Sequence, residues 1–229
     1  MAPVRWAALQ AEPSLARPFP RIALVSLFRM IFATGALSGD SPASSSSAPI
    51  QELRAAADVS QAGMDAFEAF FWRYERDILG YLWRLTGDEQ VAYDLSQETF
   101  VRAWQRFETL QHYEQPRAWL FRVASNLGIN HLRGRSRRGE QTAATEEIQN
   151  TVALGGDLAH RLAESDAIRR ILGGLPPKQR AAVVLCDVYG LTSAEAAAAL
   201  GLSHGSLKMS LWRGRERFRQ QYQREGGAE

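Results

Sequence analysis

Hydroxyl and basic side chains recur along residues 203–219, in a pattern suited to contacting the backbone and base edges of a nucleic acid. Leu207, Leu211, Gly214 and Phe218 repeat at helical spacing, which predicts a buried stripe and turns the residues between them outward. The predicted DNA contacts of this helix are Ser203, Ser206, Lys208, Met209, Arg213 and Arg215. Cationic groups neutralise phosphates, and a helix with such a face fits a major groove. An isolated basic helix is more often only a solvated surface, so this interpretation depends on the neighbouring elements.

A short capped helix precedes the basic helix. Thr192 and Glu195 have the spacing of a capping box, which predicts a helix that starts there and ends near Leu200. Gly201 suits the left-handed conformation just beyond a helix C-terminus, and Ser203 can cap the next helix after a turn of about three residues. Together these signals predict a helix-turn-helix, and they favour DNA binding over a solvated basic surface.

An acidic and amide-bearing surface is predicted on a helix that begins near Asp88 and continues to about Phe107. Gly87 breaks the aromatic-rich helix that starts near Asp65, and Asp88 can cap its successor. This second helix carries Val91, Leu95, Thr99, Val101 and Trp104 at helical spacing, and Asp94, Gln97, Glu98 and Val101 share one of its faces. Such a face is either solvated surface or a docking site for a basic partner, and periodicity alone does not decide between them.

Amide and guanidinium groups accumulate on a third helix, which Pro116 is suited to start. Leu120, Val123, Ala124 and Leu127 form its predicted buried stripe, and a second face carries Asn126, Asn130, Arg133 and Arg137. Such groups, beside a loop that bears aromatic rings, can hydrogen-bond to base edges and stack on exposed bases. The alternative is that Tyr113 and Trp119 are core aromatics and that the basic segment HLRGRSRR is only solvated.

Composition limits the remaining classes of protein. The 229 residues suffice for one large domain or two small ones, and 45% hydrophobic and 23% charged residues are ordinary globular values. A net charge of only +2 means that any basic surface is confined to particular helices. The single cysteine, Cys186, lies in an apolar run, and the four histidines lack metal-ligand spacing. We therefore expect no disulfide within the chain, no structural metal and no cofactor.

The chain divides by composition into four segments. Its N-terminal part is rich in Pro, Ala and Ser, which predicts a disordered extension with Met64 as an alternative start of translation. The apolar stretch Ile22–Leu37 is interrupted by Arg29 and is shorter than the roughly 20 residues that span a bilayer, so no stable membrane insertion is expected. The predicted segments are an extension at 1–60, a helical domain at 64–138, a polar linker at 139–157 and a second helical domain at 158–224.

Three motifs, in this order and spacing, resemble the extracytoplasmic-function sigma factors of the bacterial sigma-70 superfamily. The motifs are FEAFFWRYERDILGYLWRLTGDEQVAYDLSQETFVRAW, then PRAWLFRVASNLGINHLRGRSRR, then the segment that begins LPPKQR and contains the predicted helix-turn-helix. The resemblance covers residues 66–219. It implies an all-α protein of two small helical domains, sigma-2 and the helix-turn-helix domain sigma-4, joined by a flexible linker.

The resemblance implies a role for each surface. The family motif D-x-x-Q-E-x-F falls on Asp94, Gln97, Glu98 and Phe100, which implies that this helix, with Val101, binds the clamp helices of the largest RNA polymerase subunit. Residues implied to contact and open the minus-ten promoter element are His112, Tyr113, Trp119, Asn126, Asn130 and Arg133, the first two in a loop that captures a flipped base. The helix-turn-helix is implied to hold the minus-thirty-five element. Because Asn130, Met209 and Ser210 depart from residues frequent in the family, promoter sequence cannot be transferred from it.

The expected function is that of an alternative sigma factor, a cytoplasmic protein without enzymatic activity. It would bind core RNA polymerase and promoter DNA, and an anti-sigma protein would hold it inactive. The alternative is a two-domain helix-turn-helix regulator that acts without polymerase, against which the face at Asp94, Gln97 and Glu98 argues. A nuclease or recombinase would need clustered carboxylates or an activated nucleophile, and the sequence offers neither.

Overall fold

The computed structural model describes the backbone of residues 50–61 and the whole of residues 62–138 and 166–224. All regular elements within these ranges are helices, which confirms the predicted all-α class. In chain order they are α1 Ile50–Thr86, α2 Glu89–Trp104, α3 Phe107–Leu110, α4 Pro116–Arg137, α5 Pro177–Val183, α6 Ser193–Leu200 and α7 His204–Arg224. A helical segment at 166–173 precedes α5, and a π-helical turn, Val184–Val188, follows it. The predicted linker 139–157 and residues 1–49 of the predicted extension lie outside the described residues.

Helix α1 begins well before its expected start at Asp65. It runs from Ile50, so residues 50–60 of the predicted extension are helical. Leucine, arginine and alanine, which make up most of the LRAAAD stretch here, have high helix propensity and account for the early start. The helix ends as predicted at Gly87, whose φ of 76° is a left-handed conformation that glycine adopts without strain. Residues 74–138 and 166–224 belong to one compact unit, and the described part of α1 up to Arg73 belongs to a second.

Close packing of α1 against α4 holds the first half of the compact unit together. Leu82 and Leu85 of α1 are fully buried, as are Phe121 and other apolar residues of α4. Gly128 of α4 permits this approach, because a Cβ atom there would lie 2.5 Å from a methyl carbon of Leu85. The hydroxyls of Tyr81 and Ser125 also join the two helices by a buried hydrogen bond of 2.7 Å. These contacts fix which face of α4 points outward.

The helix-turn-helix forms as its local signals predict. The Glu195 backbone N–H donates to Oγ1 of Thr192 at 3.3 Å, and the Glu195 carboxylate accepts from the Thr192 backbone N–H at 2.8 Å. Gly201 follows α6 with a φ of 59°, and Oγ of Ser203 accepts from the Ser206 backbone N–H at the start of α7. The buried residues of α7 are the predicted Leu207, Leu211, Gly214 and Phe218. The orientation of the basic helix is therefore set by its own stripe and by the turn before it.

Replacing Thr192 with alanine is expected to lower the free energy of unfolding by about 1 kcal/mol, since it removes the side-chain half of this cap. Urea titration followed by circular dichroism measures the change, and Thr192→Ser is the matched control that keeps the hydroxyl. The Thr192 hydrogen bonds lower the pKa of Glu195, so its stabilising contribution is complete above the ordinary glutamate pKa. That contribution is lost as the pH falls through the lowered value. Equal stability of the alanine and serine variants at neutral pH would contradict the assignment.

Candidate polymerase and DNA interfaces

The predicted polymerase-binding face lies on the outer side of α2. Asp94 and Glu98 are exposed, whereas Gln97 and Val101 are half-buried. The buried side of the helix is built from small or polar residues and one phenylalanine: Ala92, Ser96, Thr99, Phe100 and Ala103. Because small side chains occupy the buried side, the larger apolar residues of α2 are left partly accessible near the carboxylates.

The carboxylates of α2 are held by neighbours on the same helix. Oε1 of Glu98 pairs with the Arg102 guanidinium at 2.5 Å, and Oδ1 of Asp94 accepts from the Gln90 amide at 3.2 Å. Both hydrogen-bonded pairs are exposed, so a stronger cationic partner can displace them at little cost. Acidic groups beside half-buried apolar side chains suit a basic partner with an apolar ridge.

The predicted minus-ten residues of α4 share one narrow face of the helix. Trp119, Asn126, Asn130 and Arg133 fall along one side at 3.6 residues per turn, opposite the buried residues of the same helix. Both asparagines and Arg133 are exposed, and Trp119 is half-buried. This face is open along its length, as base contact requires.

Two further predicted minus-ten residues lie in the turn between α3 and α4. His112 and Tyr113 are both exposed, with 44% of Tyr113 accessible, so Tyr113 is not a core aromatic. Backbone hydrogen bonds from their amides to Thr109 and Leu110 close the turn at 3.2 and 3.1 Å. The short helix α3, Phe107–Leu110, occupies part of what the sequence predicted as an open loop. An ordered turn with an exposed aromatic ring is suited to stacking on an unpaired base.

The outward face of α7 is apolar at its centre and basic around it. Met209 is 48% exposed and Trp212 is 63% exposed, and Ser206, Lys208 and Arg213 are exposed as predicted. The sequence indicated that Trp212 points outward but did not assign it a DNA contact. Its exposure makes it a candidate that the predicted set omits.

Two of the predicted α7 contacts have partners inside the protein. The Ser203 and Ser206 hydroxyls hydrogen-bond to each other at 2.9 Å within the cap. The Arg215 guanidinium is bidentate on the Asp187 carboxylate, at 3.0 Å from Nε and 2.5 Å from Nη2. This hydrogen bonding raises the pKa of Arg215 and ties α7 to the π-helical turn. A direct DNA contact by either group stays a prediction.

Sequence reasoning missed a group of residues that joins the two halves of the compact unit. Arg180 is only 4% exposed, and its Nη1 donates to the Leu85 carbonyl at 2.6 Å. Arg84 and Arg117 both donate to Tyr189. One feature of the sequence could have indicated a buried cation: Arg180 directly precedes the apolar run AAVVL. Nothing in the local pattern links Tyr189 to an arginine 105 positions earlier.

Comparison with known proteins assigns the two halves of the chain separately. Residues 70–138 match the family model Sigma-70 region 2, and residues 165–218 match Sigma-70, region 4. SigL of Mycobacterium tuberculosis, an ECF RNA polymerase sigma factor, is 32% identical over 158 residues, which cover 69% of this chain and 85% of SigL. The chain belongs to the ECF sigma factors.

A second ECF sigma factor, SigE of Mycolicibacterium smegmatis, is 32% identical over 173 residues, or 69% of this chain. The chain spans 62% of the length of SigE. The structure also resembles the sigma factor RpoE of Bartonella quintana, solved in complex with the anti-sigma factor NepR. That likeness has a TM-score of 0.54 at 21% identity and covers 69% of this chain and 97% of RpoE, which shows a shared fold.

The helices that carry the three predicted surfaces of this ECF sigma factor overlap the matched residues. Helices α2 and α4 lie in region 2, and α6 and the part of α7 up to Phe218 lie in region 4. Residues 62–138 and 166–224 contain no cluster of three or more metal-ligating side chains. No helix in the same part of the chain is both long and apolar enough to cross a membrane.

Proposed function

We propose that this chain is an alternative sigma factor that binds core RNA polymerase and directs initiation at a specific set of promoters. The observation that carries the proposal is the occurrence of three open surfaces on one chain of this family. These are the acidic face of α2, the amide and arginine face of α4, and the basic face of α7.

The α2 face supplies attachment to polymerase. Asp94 and Glu98 offer charge for a basic helix of the enzyme, and the half-buried Val101 offers apolar contact beside them. Charged groups steer the encounter, and the apolar area buried between the partners supplies affinity. A regulator that acts on DNA alone has no need of such a face, which favours the sigma factor over that alternative.

The α4 face and the α3–α4 turn supply promoter opening. Base edges are inaccessible to capture while the duplex is paired, so a protein that binds an extruded base lowers the free energy of the open state. Stacking on Tyr113 and hydrogen bonds from Asn126 and Asn130 offset the few kcal/mol that unpairing and unstacking cost. Binding energy therefore drives melting without ATP hydrolysis, and the protein itself is not an enzyme.

The α7 face supplies placement on duplex DNA upstream. Lys208 and Arg213 neutralise phosphates or bind guanine edges, and each good base contact discriminates by about 1 to 3 kcal/mol. Met209 and Trp212 present apolar surface in the middle of this face. Apolar side chains pack on the methyl group of thymine, so this sigma factor is expected to prefer thymine at a position of its minus-thirty-five element.

Core RNA polymerase and promoter DNA are the proposed partners, and the proposed site of action is the cytoplasm. An anti-sigma protein that covers both regions is a further proposed partner. Purification of the native protein under non-inducing conditions tests this point, because a tight stoichiometric partner is expected and its absence would count against it.

Mapping transcript starts made from genomic DNA by core polymerase, with and without this protein, tests the function. The expected result is a set of discrete new starts that share sequence about 10 and 35 base pairs upstream. Sequence-specific DNA binding without any new transcript would favour the regulator that acts without polymerase.

A further inference from the structure

Tyr189 of region 4 lies in a seat formed by two helices of region 2. Its ring centroid is 5.1 Å from that of Phe121 on α4 and 6.1 Å from that of Tyr81 on α1. Its hydroxyl accepts a hydrogen bond from Nη1 of Arg84 at 3.1 Å. Burial raises the pKa of Tyr189 to about 12, which reflects how little water reaches its hydroxyl. The side chain is therefore held on two sides by aromatic rings and at its tip by a guanidinium.

Region 2 also contacts the backbone of Tyr189 and leaves space for the tip of its side chain. Nη2 of Arg117 donates to the Tyr189 carbonyl at 2.9 Å and also pairs with Asp77 at 3.3 Å. Gly80 leaves the space that the tyrosine tip occupies, because a Cβ atom at this position would lie 2.7 Å from the Tyr189 hydroxyl. A side chain at residue 80 and the tyrosine ring thus exclude each other in this arrangement.

Arg180 makes a second tie between the regions. Besides the Leu85 carbonyl of region 2, its guanidinium donates to the carbonyls of Leu175, at 3.2 Å, and Gly173. Arg180 is only 4% exposed, and this burial lowers the pKa of its guanidinium to about 10. A buried cation depends on every acceptor it has. When the regions separate, Arg180 loses its hydrogen bond to the Leu85 carbonyl, and water can take the place of that acceptor. This contact between the regions is therefore reversible.

The docked arrangement does not allow both promoter elements to be bound together. The minus-ten and minus-thirty-five elements are separated by about 25 base pairs, or about 85 Å of straight duplex. A folded domain of about 75 residues has a radius of gyration of about 11 Å, so two such domains in direct contact do not reach that far. The regions must separate before one chain can hold both elements.

We infer that the Tyr189 seat is an intramolecular latch that keeps regions 2 and 4 closed on each other until core polymerase separates them. This inference rests on the proposed function. The latch lowers the apparent affinity for polymerase by the fraction of molecules that are open. Weakening it therefore raises that affinity without touching any residue of the α2, α4 or α7 faces.

Two variants open the latch from opposite sides. Tyr189→Ala removes the ring from region 4, and Gly80→Ala fills the seat from region 2. Tyr222→Ala is the matched control, because this half-buried tyrosine of region 4 stacks on Phe218 of its own helix and lies outside the seat. Thermal unfolding followed by circular dichroism selects variants that remain folded.

Energy transfer between dyes on the full chain measures opening. Dyes are attached through Ser136→Cys and Gln220→Cys, both exposed positions, with Cys186→Ser removing the native thiol. Transfer in the free parent is expected to be high and to fall in Tyr189→Ala, in Gly80→Ala and on addition of core polymerase. Both latch variants should also bind core about three- to tenfold more tightly, with Tyr222→Ala unchanged.

Three results would overturn the latch, of which the first two concern opening and affinity. One is equal transfer in the parent and both latch variants, and the other is unchanged core affinity of variants that have opened. Failure of the parent to bind core polymerase at all is a different outcome, which would overturn the proposed function. Lower core affinity in both latch variants with native transfer would show that the seat is only structural, and would also overturn the latch.

Discussion

Replacing Asp94 and Gln97 together with alanine is expected to weaken binding to core RNA polymerase about 30-fold and to abolish promoter-specific transcription. The two side chains lie on the outer face of α2, where truncation of central polar contacts at an interface typically costs about 2 kcal/mol or more. Within the described residues Asp94 is exposed and accepts a hydrogen bond from the exposed Gln90 amide, so the substitution is expected to leave the fold intact. Fluorescence anisotropy with purified core enzyme gives the affinity.

Glu89→Ala provides the control for the α2 experiment. Glu89 is an exposed carboxylate in the first turn of the same helix, on a different side from Asp94. Its loss changes net charge by the same amount and should alter core affinity by less than about twofold, as peripheral charges contribute little. Binding of isolated promoter duplex should be unchanged in both proteins. Native core affinity of the Asp94 and Gln97 double variant would remove the main argument for a sigma factor over a DNA-only regulator.

Replacing Arg213 with alanine is expected to weaken promoter duplex binding by about 1 to 3 kcal/mol, or roughly 5- to 150-fold, and to relax sequence preference. Arg213 is exposed on the outward face of α7 and directly follows Trp212, which is 63% exposed. A guanidinium at this position can bind two acceptors on a guanine edge. Competition binding with a library of minus-thirty-five duplexes measures both affinity and preference.

Arg217→Ala is the matched control for the α7 experiment. Arg217 is also exposed on α7, but its guanidinium donates to the Gln179 side chain at 3.1 Å, towards the edge of the DNA-facing surface. Its loss should remove about one phosphate contact. The slope of log affinity against log salt concentration should therefore become shallower by about one, with sequence preference unchanged. If both variants bind and select DNA like the parent, the assignment of the outward face of α7 is wrong.

The elements that the sequence predicted well are those defined by contacts close along the chain. The Thr192 and Glu195 capping box, the left-handed Gly201 and the buried stripe of α7 all depend on residues within a few positions of one another. Side-chain periodicity and cap chemistry operate over that range, so they can be recognised without a structure.

The buried side of α2 could not be predicted in the same way. Of the periodic set predicted for this helix, Thr99 is buried, but Val91 and Leu95 are only half-buried, and the structure buries Ala92 and Ser96 instead. Close approach of a neighbouring helix selects small side chains, and that approach depends on the packing of α4, which the α2 sequence does not contain. The outward acidic face was nevertheless located, because it was identified from its charged residues rather than from its apolar ones.

Contacts between distant parts of the chain were also beyond the sequence. Arg215 pairs with an aspartate 28 positions away, and Tyr189 meets Arg117 at a separation of 72. A basic residue on an outward-turned helix predicts a DNA contact by default, so Arg215 was assigned one although its guanidinium already holds Asp187. Only coordinates distinguish a cation that faces solvent from one that fastens two elements.

Single-round transcription from one mapped promoter, with core RNA polymerase alone and with core plus this protein, tests the central claim most directly. The account predicts a run-off product of defined length only when the protein is present, and its loss when Asp94 and Gln97 are replaced. Equal product from core enzyme with and without the protein, at a promoter that the protein binds, would contradict it.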